Sequence, residues 1–182
     1  LYLETVTPPE LWELSKAFAA QFETPLAAER RPHPNGVDPE RRLRVGYVSP
    51  NLNTHSVAFF LEPILANHDR TRVEVFCYSD TFQHDATSDR LAGYADQWRR
   101  CAGWPDPLLA DQIRADRIDV LVDLAGHTQD NRLLVFARKP APVQVSYLGY
   151  AGTTGLRSID YRLVTADTDP PGAGSWHSEQ LY

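Results

Sequence analysis

The sequence predicts an α/β protein with a doubly wound, Rossmann-like parallel sheet preceded by a short helical segment. Three observations carry this. Apolar runs of strand length recur at residues 43–49, 72–79, 97–102, 118–124, 143–150 and 160–165. Stretches with apolar residues at helical spacing separate several of those runs, as in βαβ units. A Pro-, Gly- and charge-rich stretch, "ETPLAAERRPHPNGVDPERR", divides this region from an N-terminal helix, so a helix-and-linker segment is placed at 1–40 and a Rossmann-like lobe at 41–182.

The elements follow in order. "TPPELWELSKAFAAQF" (7–22) starts with Thr7 as N-cap, Pro8 at the first helical position and Glu10 closing a capping box, and Leu11, Leu14, Phe18 and Phe22 form its apolar stripe. The arginines Arg30, Arg31, Arg41, Arg42 and Arg44 read as part of a solvated linker. "LRVGYVS" is the first strand, and "VAFFLEPILANH" (57–68) is a helix apolar nearly all round, hence buried, with a kink expected at Pro63. "RVEVFCYS" is the second strand, "DATSDRLAGYA" (85–95) a helix, "QWRRCA" a short third strand and "DPLLADQIRADR" (106–117) a helix. "IDVLVDL", "VQVSYLGY" and "DYRLVT" complete the sheet. Right-handed crossovers favour the order 3-2-1-4-5-6.

Composition narrows the function classes. Of 182 residues, 42% are hydrophobic and 23% charged, which is globular, and the net charge of −6 argues against nucleic acid or an anionic membrane as partner. Cys77 and Cys101 share no metal-type spacing, and Cys77 sits in an apolar strand as a small buried hydrophobe. No signal peptide or membrane span is readable, so a cytoplasmic protein is expected. The chain contains no methionine and stops at "HSEQLY", and is therefore expected to be a piece of a longer protein.

In such a sheet ligands sit beyond the carboxyl ends of the strands, where strand order reverses between the first and the fourth. The loops there, "PNLNTHS" and "AGHTQDN", bring His55 and His127 toward one crevice. His55 opens a helix that Thr54 or Ser56 can cap; the helix dipole disfavours imidazolium, leaving a neutral ring able to accept a proton from a hydroxyl. Its alternative is a hydrogen bond to the neighbouring loop backbone. His127 and Thr128 follow Gly126, whose role is a sharp turn or close approach to a ligand. Asp123, at the crevice end of the fourth strand, either orients a histidine or accepts loop N–H groups, the commoner case. "LGYAGTTGL" supplies Gly149, Gly152, Thr153 and Thr154, suited to sugar or phosphate oxygens. His33, His68, His84 and His177 lie in polar loops without special role. There is no G-x-G-x-x-G after the first strand, no P-loop, no G-x-S-x-G and no metal-ligand cluster in the sequence.

The segments "RLRVGYVSPNLNTHSVAFFLEPIL", "EVFCYSD", "IDVLVDLAGHTQDNRLLVFARKPAPVQVSYLGYAGTTGL" and "IDYRL" resemble the O-linked N-acetylglucosamine transferase family, in particular its bacterial and SPINDLY-like branch. The resemblance covers about residues 42–171. It implies the N-terminal lobe of a two-lobed GT-B catalytic region, with residues 1–40 matching the connection from upstream tetratricopeptide repeats. It further implies inverting, metal-independent sugar transfer from UDP-GlcNAc or GDP-fucose to Ser or Thr of acceptor proteins, with no cofactor. "GHT" and "TTGL" lean toward the fucose branch. The family's active-site histidine maps onto His55, and its cleft-lining loops map onto Gly126–Thr128 and Gly149–Gly155, with Ala151 where proline is frequent. The resemblance implies a nucleotide diphosphate site in the missing C-terminal lobe, so the isolated chain is expected to be inactive. The competing reading is a non-catalytic binding module of a degenerate homologue.

Overall fold

The computed structural model describes residues 6–38, 40–170 and 172–182. An N-terminal helix α1 (Pro8–Phe18) runs through a π-helical turn (Ala19–Glu23) into a short α2 (Thr24–Leu26) and a 3-10 turn. Then follow β1 (Leu43–Ser49), α3 (Ser56–Asn67), β2 (Val73–Ser79), α4 (Ala86–Ala92), β3 (Gln97–Arg100), α5 (Asp106–Ala115), β4 (Val120–Asp123), α6 (Leu133–Ala137), β5 (Val143–Ser146), β6 (Tyr161–Arg162) and β7 (Gln180–Leu181). All pairings are parallel, in the order β3-β2-β1-β4-β5-β6-β7, so the expected order holds and a seventh strand extends it.

Strand alternation sorts the core into two layers. Val75, Cys77, Val122 and Val145 meet Val57, Ala58, Leu61 and Leu65 of α3 and Leu91 of α4 on one face. Phe76, Tyr78 and Leu121 meet Leu109, Ala110 and Ile113 of α5 and Phe136 of α6 on the other. Cys77 and Cys101 are buried and unbridged, and burial pushes both thiols up to about 12. Among the described residues no helix is long and apolar enough to cross a membrane.

Several expectations need correction. α3 is not buried all round: Phe59 and Phe60 are about 60% exposed, because only one face of the helix meets the sheet. Pro63 lies inside α3 without ending it. On α1 the buried side is Ser15 with Leu11 and Phe18 partly covered, while Leu14 points outward. α6 and β7 fall where no element was expected, each too short to show a period.

The arginines of the linker are in part tied down, while Arg31 and Arg42 stay exposed as expected. Arg30 reaches Glu23 at 2.7 Å and the Ala137 carbonyl at 3.0 Å. Arg41 grips both oxygens of buried Asp119, Arg42 donates to Asp96 and the Val73 carbonyl, and Arg44 pairs with Glu74. Arg31 lies 3.2 Å from Asp111. Arg30 and Arg31 thereby tie residues 6–38 to the sheet unit.

The backbone of α1 passes close to Gly155, whose φ is +76° and where an added Cβ would sit 2.3 Å from the Ser15 carbonyl oxygen. Nearby, the carboxylate of buried Glu23 accepts from the Arg157 and Ser158 amides at 2.9 and 2.7 Å. Gly155→Ala is therefore expected to lower unfolding stability by at least about 2 kcal/mol in urea melts, through steric clash and left-handed strain together; a variant within 0.5 kcal/mol of the parent, about the spread of neutral surface changes, would show that α1 yields freely.

Candidate active site

The reversal of strand order lies between β1 and β4, whose register sets Val48 beside Asp123. The loop after β1 is mounted on its neighbours before it reaches His55. Leu52 is fully buried, and its carbonyl accepts from the Ser88 hydroxyl at 2.7 Å. Asp85 caps α4 through the Ser88 amide and also accepts from the Thr54 amide at 2.8 Å, while the Thr54 hydroxyl meets that of Thr87. Those donors, the Ser88 amide foremost, hold the Asp85 carboxyl far below the usual range.

His55 itself, not Thr54 or Ser56, is the N-cap of α3. Its backbone is extended and its Nδ1 accepts from the Val57 amide at 3.2 Å. An amide can only donate, so Nδ1 must present its lone pair, and a neutral ring then carries its proton on Nε2. The exposed edge of the imidazole is thus an N–H donor. Proton acceptance at Nε2 requires the other neutral tautomer, with the proton moved to Nδ1 at the expense of the cap.

The loop after β4 is folded back by Asp123, which accepts from the Ala125 amide at 3.1 Å and the Gly126 amide at 2.8 Å, as the commoner reading of that residue expected. Gly126 has φ +56°, and a Cβ there would lie 2.3 Å from that of Tyr150. The Thr128 hydroxyl donates to the Ala125 carbonyl at 2.8 Å, so its oxygen is left to accept. After β5, Leu148 takes a left-handed φ of +70°, and Gly149 passes so close to β4 that a Cβ would fall 1.9 Å from the Leu124 carbonyl oxygen.

These loops enclose a cavity of about 460 Å³ lined by Asn51, His55, Phe60, Thr128, Leu148 and Gly149 among others. It brings together three of the expected residues, His55, Thr128 and Gly149. The others lie elsewhere, and the expected meeting of two imidazoles does not occur. His127 turns toward α1: its Nε2 donates to the Thr154 carbonyl at 2.8 Å and its ring packs edge-on against Phe18 and Tyr150. Burial lowers its pKa. The Thr153 and Thr154 hydroxyls are spent on the buried Glu179 carboxylate, so the threonines of that loop bind the protein's own acid. Gly152 and Thr153 border a separate cavity beside α1. Asn51, Phe60 and Leu148 were not foreseen; Leu148 shows itself only through a backbone angle that no sequence pattern displays.

A model of glycosyl transferase family 41 matches residues 27–182. The chain belongs to that family. Among its curated relatives, the probable UDP-N-acetylglucosamine–peptide N-acetylglucosaminyltransferase SPINDLY of Solanum lycopersicum is 39% identical over 99% of this family 41 chain. The UDP-N-acetylglucosamine–peptide N-acetylglucosaminyltransferase of Caenorhabditis elegans is 36% identical over 87% of the chain. A solved point mutant of the Thermobaculum terrenum O-GlcNAc transferase superposes over the whole chain with TM-score 0.92 and 41% identity. The chain spans 20% of the tomato relative, 14% of the nematode one and 35% of the solved chain.

Asp123 gives this site a pH signature. Burial, offset by its two amide donors, raises its carboxyl from 3.8 to about 6. A carboxyl whose folded value is raised contributes stability when protonated, fully below about pH 4, and that contribution is lost as pH rises through about 6. The stability difference between the parent and Asp123→Asn should accordingly shift against the parent between pH 4 and 7, by on the order of 2 kcal/mol. A pH-independent difference in urea melts would contradict the shift.

Proposed function

We propose that this chain is the acceptor-side lobe of a protein O-glycosyltransferase that moves a sugar from a nucleotide donor to Ser or Thr hydroxyls with inversion and without a metal. The observation that carries the reading is the His55 cavity at the β1–β4 switch point, where His55, whose Nδ1 is taken by the cap, lines the same hollow as Thr128 and Gly149. UDP-N-acetylglucosamine is the donor named for the relatives, and it is the first to test, with GDP-fucose as the second arm. In the reaction the hydroxyl oxygen bonds to the anomeric carbon as the bond to the diphosphate oxygen breaks, and the hydroxyl proton passes to the departing diphosphate or to water. His55 aligns the reacting oxygens through Nε2–H, a positioning role of the kind that governs rate through geometry.

No lysine or arginine lines the His55 cavity, so nothing there meets the charge of a departing diphosphate. That supports placing leaving-group stabilisation in a part of the protein outside these residues. The isolated chain is expected to transfer no sugar and to bind UDP or GDP weakly; calorimetry giving a dissociation constant below about 10 μM would contradict this.

In the full-length protein, His55→Ala should cut transfer to a serine peptide at least about a hundredfold. His55→Gln, which restores an N–H donor near the Nε2 position, should recover about tenfold of that loss. Full activity in the alanine variant removes His55 from the reaction. A glutamine variant as inactive as alanine assigns the ring to proton acceptance instead. Absence of transfer by the parent with either nucleotide sugar favours a binding module.

A further inference from the structure

A larger cavity of about 740 Å³ adjoins the His55 cavity, and Asn51 and Asp130 line both, so the two are compartments of one cleft. The larger compartment is framed by the loops after β1, β2, β3 and β4. Its walls do not suit a nucleotide diphosphate. Its one guanidinium, Arg132, is held at 2.5 and 2.7 Å by both oxygens of Asp80, and at 2.8 Å by both Asp106 and the Trp104 carbonyl. With Asp80, Asp106 and Asp130 against that one arginine, the lining carries excess negative charge. Phosphate is repelled and a cation attracted.

The remaining walls suit a polypeptide. Asn51, Asn53 and Gln83 offer carboxamides, which match the donor and acceptor of a peptide group. Phe82 is 84% exposed although aromatic, and stands at the rim with Trp104 in the wall. Aromatic faces of this kind take the aliphatic stem and the charge of a basic side chain. A compartment of this volume is roughly 9 Å across, the length of about three extended residues.

We infer that the larger compartment receives the acceptor polypeptide beside the hydroxyl presented to His55, and selects a Lys or Arg side chain there by packing it on Phe82 and Trp104 beneath Asp130. This rests on the His55 cavity being the acceptor site.

The test uses the full-length protein and serine peptides in which Lys or Glu is scanned through the three positions on each side of the serine. At one or more positions the Lys peptide should show a KM about tenfold below that of its Glu partner. Phe82→Ala, at a solvent-exposed side chain, should raise the KM for that Lys peptide about tenfold and leave the KM for the nucleotide sugar as it was. Asp130→Asn should erase most of the Lys-over-Glu preference; asparagine tolerates the left-handed φ of +57° at this position, so the loop is kept. No preference at any position, or a Phe82→Ala effect on the nucleotide sugar in place of the peptide, overturns the inference. Anisotropy of a labelled peptide reads the same preferences without turnover. Lys-selective binding that Phe82→Ala weakens, in a protein that transfers no sugar, would leave the peptide site standing and fail the transferase reading alone.

Discussion

The parallel pairing of β1 with β4 is the constraint on which the site depends. β2 leaves β1 on one side and β5 leaves β4 on the other. Right-handed crossovers then send α3 to one face of the sheet and α6 to the opposite face. The two chains part as they leave the strands, and the space they vacate is the cleft. With Val48 level with Asp123, both loops start from the same height, so His55 and Thr128 border one hollow although they are far apart in sequence.

A second theme is the use of buried carboxylates to finish loops that the sheet cannot. Asp123 closes the turn after β4, Glu179 gathers Thr153 and Thr154, Glu23 receives the Arg157 and Ser158 amides, and Asp119 takes Arg41 and the Arg44 amide. Each acid is buried or nearly so, and each meets donors that would otherwise lack water. A charge buried in this way stabilises only while its partners stay, and removing one strands the other. The acids therefore specify loop geometry more than they add stability.

Much of this was legible from residues alone. Strand β1 spans the expected residues, the strand order follows from alternating elements, and Asp123 does what an acid at the end of an apolar strand usually does. The position of His55 at a helix start was readable, but not that its own ring makes the cap. Less was readable where the answer depends on distant partners. The hydroxyls of Thr153 and Thr154 look available until Glu179 is brought to them by β6 and β7, and Arg41 and Arg44 look solvated until Asp119 and Glu74 arrive. His127 follows a glycine with positive φ, and its ring turns to Phe18 and not into the cleft. Period and composition carry no information on such choices.

The cap on α3 joins stability to chemistry in one hydrogen bond. The amide of Val57 is an orphan donor that the first turn of any helix must satisfy. Serine or aspartate would satisfy it equally well and leave nothing pointing outward. A histidine uses one nitrogen for the cap and displays the other, with its proton placed by the first. The side chain is thus oriented by the backbone it serves, with no need of a separate carboxylate to fix the tautomer. Because the cap forbids a proton on Nδ1, the ring is prepared to donate to an oxygen before any substrate arrives. In the proposed transfer, preorganisation of that kind would place the cost of alignment in folding and remove it from the encounter with an acceptor.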